Sequence, residues 1–538
     1  LSIARIGPPK RLLKIGKYRF PLSKPVMEGL RKGAPFWNFL ARLGVRVAVQ
    51  RVPVTFPPEK FEGRLLSSMG VPDLLGTQGN YIFVTTSANG GNVKSGRTIN
   101  AKRNGKKISF TIEGPENPFL NGSQKLSIEC EAQLESKNRA RLKINGKIID
   151  LILDEFTPWQ RLEFKTGVGA SVYGIARFCL RSLDPEFGLY VTPINIDPRN
   201  PALPISHPRI YSRYLASKNG EFATLGLSED TSGLNDGSLT PELFLTMCDD
   251  IYEDRLKAIR AELGTMKSGL FVHVLDITDR VSHMFWQYID KGHPAYDGAK
   301  AAKYSGVVED TYEKCDRLVG EIADMLDDDS LFIVLSDHGF GPYRYSVNLN
   351  DWLIEEGYMK LKVGEDAEGM KFFNKVDWEK TSAYAMGLNG IYINIKGRES
   401  QGSVEPDDCG GLCEKLKSDM ARYVDGSTGL GPFSSIKKKE EAYEGPYVNN
   451  SPDLVVGYAK TFRASWQTVL GGATGKVITP NEKSWSGDHC TDADDIPGVL
   501  FCNRPIKRNN PSIMDIAPTV IGEFGIPAPD GMDGKNFL

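Results

Sequence analysis

Three short segments hold the acidic and histidine side chains that could bind metal ions. LDITDRVSH, at residues 275–283, places Asp279 and His283 four residues apart. On a helix both side chains would share one face and could hold one ion. LSDHGF, at residues 335–340, contains Asp337 and His338, and WSGDHC, at residues 485–490, offers His489. Carboxylate oxygens and imidazole nitrogens are donors that suit zinc.

Each segment alone is a weak signal, and the combination is stronger. An Asp-x3-His pair is commonly a contact on a helix surface, and an Asp-His dipeptide is usually structural. The chain has six histidines, however, and three of them lie in these segments. His273 alternates within an apolar run and is expected in the core, whereas His207 and His293 each precede a proline and are expected in loops.

The elements that must position these residues are predicted strands. Ligands of open α/β sheets gather at the carboxyl ends of the strands, and all three segments follow a predicted strand. Asp337 and His338 are adjacent, so they would point apart on a helix. A turn at Gly339 could let both converge, or could let each serve a different ion. In the third segment, Asp488 is a further possible ligand.

Strands and helices alternate along most of the chain. Residues 36–55 read as a helix, a stop at Gly44 and a strand. After residue 193, short apolar strands are separated by helices, which indicates a mostly parallel central sheet with helices on both faces. The strands in this part are predicted at 269–276, 330–336, 384–395, 453–457 and 498–502. Its helices are predicted at 241–264, 303–328 and 515–524.

Residues 81–192, which lie between these two parts, have a different sequence pattern. Short alternating runs are separated by Gly, Asn and Pro, and NGK occurs at Asn104 and again at Asn145, which suits tight hairpins. The predicted fold is therefore α/β with an all-β insertion. We predict three parts: residues 1–80 as the first portion of the α/β core, 81–192 as an inserted β-rich module, and 193–538 as the main core that carries the metal-site segments.

Composition excludes few functions. The chain is 40% hydrophobic and 25% charged, with a net charge of −2, so nothing global indicates nucleic acid or an anionic membrane as a partner. No run approaches the roughly 18 apolar residues of a membrane span. The eight cysteines are too sparse for a disulfide scaffold. The cysteines do not indicate a cellular compartment, and the sequence does not indicate an oligomeric state.

The first 51 residues differ from the rest in charge. They contain twelve Lys and Arg residues against a single acid, Glu28. One interpretation is a solvated, partly irregular segment. The other is a basic patch for a phosphorylated substrate.

The metal-site segments resemble the alkaline phosphatase superfamily, and within it the type I phosphodiesterase/nucleotide pyrophosphatase branch. The resemblance rests on D-x3-H at 279–283, SDHG at 336–339 and GDH at 487–489. Further matching motifs are NGIYIN at 389–394, SPDLVVG at 451–457, IPGVLF at 496–501, DIAPTVIGEFGIP at 515–527 and MDGK at 532–535. It covers residues 35–60 and 193–538, and leaves the β-rich stretch outside the shared core.

The resemblance implies a site with two divalent metal ions, which are zinc. Asp279, His283 and His489 match the ligands of one ion, and Asp337 and His338 match two ligands of the second. The implied activity is hydrolysis of a small phosphorylated substrate, a phosphodiester or a nucleotide pyrophosphate. A Thr or Ser nucleophile would attack phosphorus in line and form a covalent intermediate that water then releases.

The chain departs from the family pattern in one respect. The family has an Asp at the end of its first strand and a Thr or Ser nucleophile at a helix N-terminus, and both precede the unit matched at 36–55. Before residue 36 there is no Asp, and Ser2 and Ser23 have no strand–turn–helix context. We therefore expect an N-terminally truncated enzyme, whose nucleophile and first metal-ligand Asp are missing and which is inactive as it stands.

Two alternatives remain open. One is another activity of the superfamily, on monoesters, sulfates or phosphonates, or as a mutase. The other is a non-catalytic binding protein with a degraded site, in which the β insertion recognises a glycan or a protein.

Overall fold

The computed structural model describes residues 4–88 and 93–538. Two compact units divide them. Unit 1 is formed by the described residues of Leu1–Arg280 and by Met514–Asn536, and unit 2 by Val281–Ile513 and Phe537–Leu538. Among the described residues, no helix has the length and apolar character needed to cross a membrane.

Unit 1 begins with small strands and one helix. These elements are β1 (Ala4–Pro9), β2 (Leu12–Ile15), β3 (Tyr18–Pro21), β4 (Pro25–Gly29), α1 (Phe36–Arg42), β5 (Val47–Gln50) and β6 (Arg64–Leu66). Helix α1 stops where its sequence predicts, because Gly44 takes a φ of 84°, a conformation that strains residues with a Cβ. Residues 4–29 thus form paired strands, where one interpretation of the sequence was a partly irregular segment.

Every regular element of the described residues between 81 and 192 is a strand. They are β7 (Ile82–Thr85), β8 (Arg97–Asn100), β9 (Lys102–Asn104), β10 (Lys107–Glu116), β11 (Lys125–Ser136), β12 (Arg139–Ile144), β13 (Lys147–Ile152), β14 (Gln160–Lys165), β15 (Ser171–Ala176), β16 (Phe178–Ser182) and β17 (Gly188–Val191). Strands β9 to β13 form an antiparallel meander. Both NGK motifs make its tight hairpins, and at the second one Asn145 and Gly146 have φ of 48° and 75°.

The meander buries one face and exposes the other. In β11 the side chains of Leu126, Ile128 and Cys130 alternate with exposed polar residues. The core under this face is shared with residues outside the stretch, including Phe56 and Ile205. The boundaries at residues 80 and 192 stay a prediction, and residues 89–92 lie outside the described part of the chain.

The rest of unit 1 is helical with short strands. Its elements are β18 (Asn195–Ile196), β19 (Ser206–His207), α2 (Ile210–Asn219), α3 (Thr231–Asn235), α4 (Pro241–Leu263) and β20 (Leu270–His273). Strand β5 runs parallel to both β6 and β20. His273, predicted in the core, is half-buried in this sheet and contacts Gln50 through its ring Nδ1 at 2.9 Å. His207, expected in a loop, ends β19.

Helix α5 (Ile277–Phe285) leads into unit 2. The elements that follow are α6 (Gly298–Tyr304), α7 (Val307–Met325), β21 (Ile333–Leu335), β22 (Gly341–Val347), α8 (Leu349–Glu355), β23 (Ala383–Met386), β24 (Gly390–Ile393), α9 (Cys409–Arg422), β25 (Phe433–Lys438), α10 (Lys439–Ala442), β26 (Leu454–Tyr458), β27 (Thr461–Ala464), α11 (Trp466–Val469), β28 (Ile478–Pro480), β29 (Gly487–Asp488), β30 (Leu500–Cys502) and α12 (Ile516–Glu523), the last belonging to unit 1.

The sheets of unit 2 are small and mixed. Strand β22 pairs with β27 in parallel and with β28 and β29 antiparallel. A second sheet has the order β23-β24-β26-β25, and β21 pairs with β30. The predicted strand at 384–395 is instead the β23–β24 hairpin, because Gly387 reverses the chain with a φ of 82°. The described strands thus lie in several sheets, parallel and antiparallel, and a single central parallel sheet stays a prediction.

The alternation in the meander gives a direct stability test. Leu142 in β12 is fully buried, whereas its neighbour Lys143 faces the exposed side. Leu142→Ala should lower the free energy of unfolding by about 2–5 kcal/mol, because it leaves a cavity. Lys143→Ala should change it by less than about 0.5 kcal/mol. Urea unfolding followed by circular dichroism measures both, and equal effects would contradict the assignment of faces.

Candidate metal centre

Helix α5 carries the first two predicted ligands. Asp279 lies in its first turn and His283 in its last turn. Four residues of spacing put both side chains on one face, while Val281 and Met284 are buried on the other side. The Asp279 carboxylate pairs with the Arg280 guanidinium at 2.8 Å, so a metal ion would share this carboxylate with a buried cation.

Strand β29 brings the third predicted ligand to the same helix. Ser486 donates its N–H to the His283 carbonyl at 2.6 Å, and Gln287 donates its N–H to the Ser486 hydroxyl at 2.9 Å. Gly487 has no room for a side chain, because a Cβ there would lie 2.6 Å from the Ser282 carbonyl oxygen. The backbone before His489 therefore lies directly against the helix that carries His283.

The three side chains converge. One ligand atom each of Asp279, His283 and His489 lies within 4.8 Å of the others. The rings of His283 and His489 are 5.1 Å apart, and Trp485 stacks on His283 at 3.7 Å. His283 donates its Nδ1–H to the Gly487 carbonyl at 2.7 Å. This hydrogen bond fixes the tautomer in which Nε2 keeps its lone pair, the state a metal-binding imidazole needs.

Asp337 and His338 follow β21, as predicted, and lie beside His489. The rings of His338 and His489 stack with centroids 3.7 Å apart at an angle of 14°. His338 donates its Nδ1–H to the Gly339 carbonyl at 2.9 Å, and its Nε2 lies 3.6 Å from the Asp337 carboxylate. The Asp337 side chain is 70% exposed. These two residues do not join the group of three ligand atoms around His283.

Gly339 has a different role from the one its sequence suggests. It donates its N–H to the Ile496 carbonyl at 2.8 Å, and a Cβ at Gly339 would lie 2.5 Å from the Pro497 carbonyl oxygen. Gly339 is not one of the described glycines that have a positive φ. The glycine is therefore required for a close approach between two chain segments, and not for a turn.

Asp488, considered a possible ligand, is buried, and its carboxylate lies in a second group with His489 and Cys490, whose ligand atoms are within 4.8 Å of one another. Its carboxylate accepts hydrogen bonds from the Trp485 indole N–H at 2.7 Å and from the N–H groups of His489 and Cys490 at 2.8 Å each. It also pairs with the Arg463 guanidinium at 2.6 Å. With these donors, the carboxylate has little capacity left for an ion. It fixes the backbone that presents His489.

The charge of this pair is stabilised within the core. Burial raises the pKa of the Asp488 carboxyl, but the Arg463 guanidinium and the neighbouring histidines outweigh it, so the pKa is lowered to about 2. Burial likewise lowers the pKa of Arg463, whereas Asp488 raises it, with a net increase. Sequence reasoning missed Arg463, since nothing in β27 marks it, and missed Trp485 although it lies in the same six-residue segment.

Removing the Asp488 charge should destabilise the fold in a pH-dependent manner. Asp488→Asn leaves Arg463 buried without its anion, which should cost about 3–5 kcal/mol at neutral pH. Because the folded pKa is about 2 against an ordinary 3.8, the wild-type advantage is complete above pH 4 and is lost as the pH falls towards 2. Urea unfolding at several pH values tests this, with exposed Asp495→Asn as control. A difference that does not change with pH would contradict it.

Comparison with known proteins agrees with the resemblance of the motifs. The model of the family described as type I phosphodiesterase / nucleotide pyrophosphatase matches residues 201–469, half of the chain. No curated protein and no solved structure matches. The matched range contains Asp279, His283, Asp337 and His338, and it ends before His489. The chain therefore belongs to the type I phosphodiesterase/nucleotide pyrophosphatase family, a part of the alkaline phosphatase superfamily.

Proposed function

We propose that this chain carries the metal site of a zinc-dependent hydrolase of a small phosphorylated substrate, a phosphodiester or a nucleotide pyrophosphate. Membership of the family supports a hydrolase of this type. The observation that carries the proposal is the convergence of Asp279, His283 and His489, from segments about 200 residues apart, with ligand atoms within 4.8 Å. One carboxylate and two imidazoles are a donor set that zinc accepts.

A second ion would be held by Asp337 and His338. The stacking of His338 on His489 supports two neighbouring sites, because the two rings belong to different proposed ligand sets. When bound, the two ions would neutralise charge on the phosphoryl oxygens and lower the pKa of the attacking group. The hydrogen bonds from His283 to Gly487 and from His338 to Gly339 keep each ring in one orientation.

We further propose that the described chain contributes no attacking hydroxyl. Ser282 is completely buried in α5. Thr55 donates its hydroxyl to the Val52 carbonyl at 2.6 Å, and Ser23 accepts the Arg11 N–H at 3.1 Å. Ser2 lies outside the described residues. The chain should thus bind metal and position phosphate without covalent attack.

A non-catalytic binding protein is the second candidate function. The exposure of Asp337 favours it, because an open second site with two protein ligands has fewer than the three or four usual for zinc. Activity on monoesters, sulfates or phosphonates, or mutase activity, would use the same first site. Zinc binding alone does not separate these alternatives, whereas turnover does.

Zinc affinity tests the three-ligand group. Isothermal titration with ZnCl2 should show binding to the wild-type chain. His489→Ala and His283→Ala should each weaken it by more than the roughly 100-fold that an outer partner of a metal ligand contributes. His207→Ala, a partly buried histidine in β19, is the control and should leave the affinity unchanged. Equal affinity in His489→Ala and the control would rule out this site.

Turnover tests the absence of an attacking group. With zinc and bis-p-nitrophenyl phosphate, the chain should stay several orders of magnitude below the roughly 1–1,000 s⁻¹ typical of enzymes. Turnover in that range, stopped by EDTA and by Ser282→Ala, would make Ser282 the nucleophile and overturn this part of the proposal. Turnover of a monoester or a sulfate ester instead would support the other superfamily activities.

A further inference from the structure

The hairpin formed by β2 and β3 is basic and exposes aliphatic side chains. Residues 10–24 contain six basic residues and no acid, namely Lys10, Arg11, Lys14, Lys17, Arg19 and Lys24. All four residues of β2 are exposed, with Leu13 at 46% and Ile15 at 59%, and Leu22 beyond β3 reaches 64%. Among the described residues, the first ion pair along the chain joins Arg31 and Glu59, so none of the six cations of the hairpin pairs with a carboxylate.

Strand pairing places aliphatic side chains on both faces of the hairpin. In the antiparallel register, Leu13 lies opposite Phe20 and Ile15 opposite Tyr18, which places these four on one face. Lys14 lies opposite Arg19 on the other face, where Leu12 also lies opposite Pro21. The turn between the strands is Gly16-Lys17, with a φ of 58° at Gly16. The hairpin therefore exposes aliphatic side chains on both faces, and Lys14 lies on the same face as Leu12.

One edge of the hairpin is fixed to unit 1 and the other is open. Arg19 donates its N–H to the Phe119 carbonyl at 2.9 Å, and Asn121 donates its N–H to the Lys17 carbonyl at 3.0 Å. The ring of Phe20 lies 6.1 Å from that of Phe119. Because β3 is anchored in this way, its partner β2 forms the exposed edge of a hairpin whose position is fixed. Such an arrangement can present side chains to a surface without first having to order them.

We propose that the β2–β3 hairpin docks on the surface of an anionic lipid bilayer. Aliphatic side chains surrounded by Lys and Arg fit the boundary between acyl chains and negatively charged head groups. Nucleic acid is disfavoured as the occupant, because the exposed Leu and Ile side chains cannot stack on bases. The interaction is independent of the proposed hydrolase site, so either proposal can fail without the other.

Vesicle co-sedimentation of the whole chain tests this inference. The chain should pellet with vesicles of mixed phosphatidylcholine and phosphatidylglycerol, should not pellet with phosphatidylcholine alone, and should be released at high salt, which screens exposed charges. Lys10→Glu with Lys14→Glu should weaken binding at least about 25-fold, because each basic residue at an anionic surface contributes roughly fivefold. Leu13→Ser with Ile15→Ser should weaken it by about tenfold or more.

Matched controls lie on the meander of the same unit. Lys106→Glu with Lys137→Glu makes the same change in net charge at exposed positions, and Ile148→Ser removes an aliphatic side chain that is 68% exposed. Both should bind vesicles as the wild type does. The inference is overturned if the control variants lose binding equally or if neutral vesicles bind as well. It is also overturned if the chain binds a DNA duplex but no vesicle, and if this binding depends on the lysines and not on Leu13 and Ile15.

Discussion

The close contact between Gly487 and helix α5 is the constraint on which the candidate metal centre depends. At Gly487 a Cβ would lie 2.6 Å from the Ser282 carbonyl oxygen and 2.9 Å from the Cβ of Trp286, so only glycine fits. At this separation the backbone of Ser486 binds the carbonyl of His283, and the ring of His283 binds the carbonyl of Gly487. One contact thus sets both the position of His489 and the tautomer of His283.

Buried charge secures the same strand from its other side. Taking the carboxylate of Asp488 and the guanidinium of Arg463 out of water is costly, and their mutual attraction offsets this only when the remaining hydrogen-bonding capacity is used. Here the indole of Trp485 and two backbone N–H groups supply the additional donors. Since Trp485 also stacks on His283, the ion pair and this imidazole of the candidate metal centre pack against the same side chain.

The two proposed ion sites differ in how fully the protein builds them. In the first site the ligand atoms of three side chains lie close together, and the ring of one of these residues, His283, is almost fully buried. The second has His338, held by its stacking on His489, and Asp337, which is largely exposed. Because preorganised ligands lose less conformational freedom when they bind, we expect the first site to hold its ion more tightly than the second.

The sequence by itself indicated the candidate metal-site segments and many local elements, because these depend on short-range pattern. Spacing placed Asp279 and His283 on one helix face, and Gly44 marked the end of α1. Spacing could not show that Asp488 is satisfied by Arg463, that Gly339 is needed for a close approach, or that residues 384–395 form a hairpin. Those features depend on which distant atoms meet in the core, and a partner such as Arg463 leaves no local pattern. Only the tertiary structure could decide them.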